Sequence, residues 1–235
     1  MRRTDSAQPP ARKSYARQLT AESHLPSVPS FFLSANSNSQ EHERHFRHCW
    51  KHARGPFLGK PAHWIFQHLK KRPGVDARLL DLREFPMPFF DQPFTPATPN
   101  RPAFEHPVVQ KWTAAIAQSD GFIFVTPEYN FGPSGVLKNA IDWVYSEWHR
   151  KPAGFVSYGS AMGVRSVQQL RLTAIEVQLA PIRAAVHIPV ATLWAHYQGG
   201  DVDAGLAALE APAGAMIDDL LWWTAALKTA RATSV

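Results

Sequence analysis

Cysteine occurs once in 235 residues, at Cys49, so no intrachain disulfide can form and a reducing, cytoplasmic setting is expected. Nowhere do the roughly 18 apolar residues of a membrane-spanning helix run together, so a soluble chain with no membrane partner is expected. The sequence also lacks Gly-x-Gly-x-x-Gly, Gly-x-x-x-x-Gly-Lys-[Ser/Thr] and Gly-x-Ser-x-Gly. Their absence argues against a Rossmann dinucleotide site, a P-loop and a hydrolase nucleophile elbow. Acidic residues are too few to balance the chain, which carries a net charge of +6. That surplus is local: residues 1–60 hold ten Lys/Arg against four acids, and the remainder holds fifteen of each. A basic patch on the folded body is therefore not indicated, and nucleic acid is not an expected partner.

What the sequence does contain is organised around residues 121–143. Phe122 to Val125 is a short unbroken apolar run of aromatic and β-branched residues, the pattern of a strand covered on both faces, and so of a parallel sheet. Pro127 stops the strand, and a polar loop from Glu128 to Gly132 follows where ligands sit in open α/β sheets, beyond the carboxyl end of a strand. Ser134 is placed to cap a helix whose inward face is Leu137, Ile141, Val144 and Trp148.

Residues 1–30 read as a disordered basic tail, with import into an organelle as the minor alternative. Residues 31–54 read as an insertion or a degraded first strand, with Phe31 to Ala35 the one apolar run able to form it. His42, His45, His48, Cys49 and His52 share helical spacing. A solvated basic segment is preferred there over a metal site, because no second cluster completes the ligands. Pro61 to Lys71 is expected to be a helix, Ala77 to Leu82 a strand, and the proline run from Pro86 to Pro107 an extended surface arm. A helix over Val108 to Gln118 leads back to the central stretch. Beyond it come a strand at Ala153 to Gly159, a loop to Arg165, a helix at Val164 to Ala180 and a strand at Ala184 to Ile188. His187 is expected to be a satisfied core histidine. Short helices follow at Leu206 to Leu209 and Ala215 to Thr229, and one of the adjacent Trp222 and Trp223 is expected to leave the core for a subunit contact.

Thr126-Pro-Glu-Tyr-Asn130 followed by Pro133-Ser-Gly-Val-Leu-Lys-Asn139 resembles the NADPH-dependent FMN reductase family of flavodoxin-like proteins. Lys60, Pro61, Ala62 and Trp64 resemble that family's first helix, and Gly159-Ser-Ala-Met-Gly-Val-Arg165 resembles its second cofactor loop with Met162 at one glycine position. The resemblance implies an α/β fold: a flavodoxin-like, doubly wound, parallel five-stranded sheet with helices on both faces, spanning residues 55–200, with 201–235 as a C-terminal helical extension. It further implies FMN as cofactor and NADPH or NADH as co-substrate. Hydride would pass from NAD(P)H through the flavin to a quinone, a free flavin or another small acceptor, in a homodimer or homotetramer. The cofactor residues it implies are Arg54, Gly55, Pro127, Glu128, Tyr129, Asn130, Phe131, Gly132, Tyr158, Gly159, Ser160, Gly163 and Arg165. Backbone amides of Glu128 to Gly132 would face the ring's polar edge, and Arg165 is a candidate for a phosphate of cofactor or substrate. No catalytic acid, base or nucleophile is called for, because the flavin carries the chemistry. A flavodoxin-like electron carrier and a degenerate relative that folds without FMN are the alternatives.

Overall fold

The structure, a computed structural model, describes residues 31–36, 57–100 and 102–233. Five strands, β1 (Phe31–Asn36), β2 (Asp76–Asp81), β3 (Gly121–Pro127), β4 (Pro152–Tyr158) and β5 (Ala180–His187), form one sheet in the order β2-β1-β3-β4-β5. The helices are α1 (Gly59–Lys70), α2 (Pro107–Ala117), α3 (Gly135–Asp142), α4 (Val164–Glu176), α5 (Val190–Gln198), α6 (Val202–Ala207) and α7 (Glu210–Thr233).

The β3 sequence explains why helices cover both sides. Side chains alternate across a strand, so Phe122 and Phe124 enter one core while Ile123 and Val125 enter the other. The aromatic side is closed by α2, α3 and α4, with Trp112, Trp143 and Trp148 fully buried against Phe122, Phe124 and Phe155. The aliphatic side is closed by α1, α6 and α7, through Ile65, Leu69, Leu206, Met216, Ile217 and Leu220. Residues 201–235, expected as a helical extension, thus contribute a layer over the sheet. Asp120 fixes that layer's far end by accepting from Lys228 Nζ and Arg231 Nη2, each at 2.8 Å.

The all-parallel expectation is corrected at one strand. β3, β4 and β5 are parallel, whereas β1 is antiparallel to both β2 and β3, with Phe31 opposite Val125 and Ala35 opposite Gly121. The end of β1 therefore lies at the sheet edge opposite the β3 and β4 loops. Period-two alternation reads the same in either direction, so nothing in Phe31 to Ala35 discloses strand polarity.

Other boundaries moved for identifiable reasons. The helix expected to reach Ala180 ends at Glu176, because Gln178 adopts a positive φ of 56° and β5 begins at Ala180. Trp148 is buried as expected, but from a separate 3-10 turn at Ser146–Trp148, since α3 ends at Asp142. Helix α5 was not expected at all. The proline arm is held to α3, where Asn139 Nδ2 and Trp143 Nε1 donate to the Pro88 carbonyl at 2.9 and 2.8 Å. Both tryptophans of the pair on α7 are solvent-facing, Trp222 the more so.

Candidate functional site

The loops after β3 and β4 meet at one end of the sheet. The Glu128 amide donates to the Tyr158 carbonyl at 2.9 Å, which extends the parallel ladder by one bond beyond the strand ends. A hairpin turn follows: Tyr129 and Gly132 exchange both backbone bonds, at 2.9 and 3.0 Å. Asn130 and Phe131 at its tip take positive φ values of 48° and 75°. Two consecutive left-handed residues give the mirror-image turn that suits tight hairpins, and Asn tolerates this while Phe does so at a cost of about 1–2 kcal/mol. The cost leaves two aromatic side chains outside the fold, Tyr129 at 47% and Phe131 at 58% exposure.

The second loop is also held in a left-handed form. Met162 has φ 56° and Gly163 φ 75°. Gly163 is obligatory for space as well as for φ, since a Cβ there would lie 2.5 Å from Ser157 Cβ and 2.7 Å from the Tyr158 amide. Met162, which replaces a glycine of the motif, adopts the glycine-like backbone regardless. It is held by its amide to the Gly159 carbonyl at 2.9 Å and by its carbonyl, which accepts from Ser157 Oγ at 2.9 Å. Ser157 Oγ has one proton and gives it to Met162, so at 2.8 Å it accepts from His187 Nδ1, which fixes that tautomer. His187 is thus satisfied as expected, and burial lowers its pKa below the ordinary 6.5.

A carboxylate and a guanidinium lock the two loops. The Glu128 side chain, 3% exposed, accepts from the Arg165 amide at 3.1 Å and from Arg165 Nε at 2.5 Å, and Arg165 Nη2 completes the pair. The same guanidinium lies 4.6 Å from the centroid of the Phe131 ring. Arg165, considered for a phosphate, is therefore engaged by Glu128. Of the five amides expected to face a ligand, those of Glu128, Tyr129 and Gly132 bond within the loops. The amides of Asn130 and Phe131 have no backbone acceptor among the described residues. In front of Gly132 and Gly135 the space is open, with nothing within 4 Å of a Cβ built at either.

Pro127, Glu128, Tyr129, Asn130, Phe131, Gly132, Tyr158, Gly159, Ser160, Gly163 and Arg165 are thereby gathered at one end of the sheet. Arg54 and Gly55, like the histidine cluster from His42 to His52, lie outside the described residues. Among the described residues no group of His, Cys, Asp or Glu is arranged for a metal ion, and no helix is long and apolar enough to cross a membrane. Two residues of the site were absent from the sequence expectations. Phe57, at the entry to α1, packs its ring edge-on to Tyr158 at 4.9 Å and to His196 of α5 at 5.5 Å. The punctuation of α5, Pro189 before it and Gly199 after it at φ 76°, was the available signal.

The family model for NADPH-dependent FMN reductase matches residues 54–192, which is more than half of the chain. The chain belongs to the NADPH-dependent FMN reductase family. It is similar to an NAD(P)H-dependent FMN reductase of a Nectria species, 36% identical over 135 residues, covering 55% of this chain and 67% of that one. An NAD(P)H-dependent FMN reductase of Schizosaccharomyces pombe is 35% identical over 130 residues, 54% of this chain and 64% of the relative. An NADPH:quinone oxidoreductase of Arabidopsis thaliana is 32% identical over 111 residues, 46% of this chain and 53% of the relative. The chain thus spans between half and two thirds of these relatives. The NADPH-dependent FMN reductase family is one of oxidoreductases with FMN as cofactor and NAD(P)H as reductant, and the site fits the ring of that cofactor. Two spare amides, two exposed aromatic faces and the open space before Gly132 suit a flat heterocycle with polar edge atoms.

Proposed function

We propose that the chain is an FMN-dependent NAD(P)H oxidoreductase that passes reducing equivalents to a quinone, a free flavin or another small acceptor. The observation that carries this reading is the pair of locked turns, whose side chains fill neither the space before Gly132 nor that before Gly135. FMN, when bound, supplies the hydride chemistry; the protein's part is to position the ring and exclude competing contacts. The amides of Asn130 and Phe131 would bond the ring's polar edge, with the exposed Tyr129 and Phe131 as side-chain contacts and Tyr158 on the other side. Gly159, Ser160 and Gly163 would line its other side, while Pro127 ends β3 and Glu128 and Arg165 hold both loops in place. Arg54 and Gly55 are the proposed contribution to the phosphate end. A homodimer or homotetramer in the cytoplasm completes the proposal, supported by the exposed Leu172 and Ile175 of α4, by Trp222, and by the lone cysteine.

Purification tests this directly. A yellow protein that oxidises NADPH with a quinone supports the reading; a yellow protein inert to NADPH indicates an electron carrier, and one colourless after FMN addition indicates a degenerate relative. Gly132→Leu is expected to fold, since its Cβ meets open space, and to weaken FMN binding at least tenfold in a fluorescence titration. Unchanged affinity would show that the ring lies elsewhere.

A further inference from the structure

Helix α5 follows β5 directly, so it starts at the same end of the sheet as the loops after β3 and β4. The Ile188 amide, donating to the Ser157 carbonyl at 2.8 Å, fixes that starting point. The helix is unusual in what it shows to water. Among its nine residues only Thr192 is buried, whereas Trp194 is 55% and Tyr197 65% exposed. Their rings meet at 6.2 Å, and a continuous row of rings joins them to the site. Tyr197 touches His196 at 5.2 Å, His196 touches Phe57 at 5.5 Å, and Phe57 touches Tyr158 at 4.9 Å. The row ends on β4, one residue before the loop that begins at Gly159.

The charge on this wall narrows the ligand. No Lys, Arg, Asp or Glu occurs in Val190–Gln198, and the one cation of the two loops, Arg165, is neutralised by Glu128. Burial, followed by the nearby Tyr197 hydroxyl, raises the pKa of Tyr129 above 10. Burial, followed by Tyr129 and then Tyr197, raises that of Tyr158 further. The Tyr129 and Tyr158 phenols are thereby kept protonated, and a protonated phenol is a hydrogen-bond donor. The exposed Trp194 and Tyr197 rings, backed by the buried Phe57 and Tyr158 and joined by the half-exposed Tyr129 with its hydroxyl donor, match a flat, uncharged ligand that carries carbonyl oxygens, which is the chemistry of a quinone.

We propose that Trp194 and Tyr197 form the outer wall of the acceptor site and select planar quinone rings over charged, non-planar oxidants. The proposal rests on the oxidoreductase reading and adds to it the residues that choose the acceptor. Both side chains are exposed, so Trp194→Ala/Tyr197→Ala is expected to unfold at the parent's temperature.

The test is calorimetric titration of menadione into the oxidised, FMN-supplemented parent and double variant without NADPH, with steady-state rates alongside. The expected result is at least a tenfold weaker menadione affinity in the variant. The KM for menadione should rise by a similar factor at unchanged kcat, and NADPH oxidation with ferricyanide should be unaltered. Equal menadione affinity in the two proteins, or none in the parent, overturns the wall. An equal loss with ferricyanide overturns the selectivity. Failure of the underlying reading looks different: the parent would not oxidise NADPH with either acceptor, whatever it binds. Tyr197→Phe separates the two contributions, since it keeps the ring and removes the donor, and it should lose less than Tyr197→Ala.

Discussion

The lock between the two loops allows a quantitative test. Arg165→Leu removes the guanidinium from a carboxylate that is 3% exposed, and leaves Glu128 with the backbone amide of residue 165 as its remaining partner. Breaking a buried ion pair from one side costs about 3–5 kcal/mol. Arg165 is itself 36% exposed, so water can reach the gap and the low end, about 3 kcal/mol, is expected. Loss of the contact with the Phe131 ring at 4.6 Å adds about 0.5–1 kcal/mol. Glu128→Gln should cost less, about 1–2 kcal/mol, because the freed guanidinium can turn to solvent. In the double variant neither charge is stranded, so its loss should fall short of the sum by about 2 kcal/mol. Urea unfolding of the four proteins gives the coupling energy, with an unchanged m-value confirming that the denatured states are comparable. FMN titration of Arg165→Leu should show weaker binding, because the tip carrying the Asn130 and Phe131 amides is no longer fixed. A coupling below about 0.5 kcal/mol would refute the claim that this pair holds the site.

Two further expectations concern stability. Lys151 Nζ donates to the carbonyls of Ile116 and Ala117 at 2.8 and 3.1 Å, closing the last turn of α2. Burial, with Arg231 adding and Asp120 and Glu147 opposing, lowers its pKa from 10.5 to about 8. Between those values the unfolded chain holds the extra proton, so the parent's stability rises as pH increases through the window and is lost as pH falls through about 8. The span is about 2–3 kcal/mol; Lys151→Met should flatten it, and parallel pH dependences of parent and variant in urea unfolding at pH 7 and 10 would count against the assignment. Gly163→Ala sets a Cβ 2.5 Å from Ser157 Cβ at a φ of 75°, and should lose about 3 kcal/mol in thermal unfolding. A melting temperature equal to the parent's would mean that the loop relaxes at no cost.

How much could be read in advance depended on whether the residues concerned were buried. The β3 run and the helix face of Leu137 and Ile141 were legible because each is apolar at its element's period; Val144 and Trp148 are buried as expected although they lie beyond the end of α3. Ser134 was legible as a cap, and its Oγ accepts from the Leu137 amide at 3.3 Å. Helix α5 was not, because its large apolar residues face water and period-based reasoning looks for a covered stripe. The Glu128–Arg165 pair lies 37 positions apart, beyond any local pattern. The left-handed backbone at Phe131 was equally hidden, since Phe does not favour it, whereas that at Met162 was signalled by its place at a glycine position of the motif.

The reversed polarity of β1 also bears on the order of assembly during synthesis. The strand lies between β2 and β3, one place in from the edge of the sheet, yet its partners Asp76–Asp81 and Gly121–Val125 both follow it in the chain, so it emerges from the ribosome before either exists. β3, β4 and β5 find one another over shorter stretches of chain and can dock around their crossover helices first. The place beside β3 is then taken late, after the end that carries the two locked turns has taken shape.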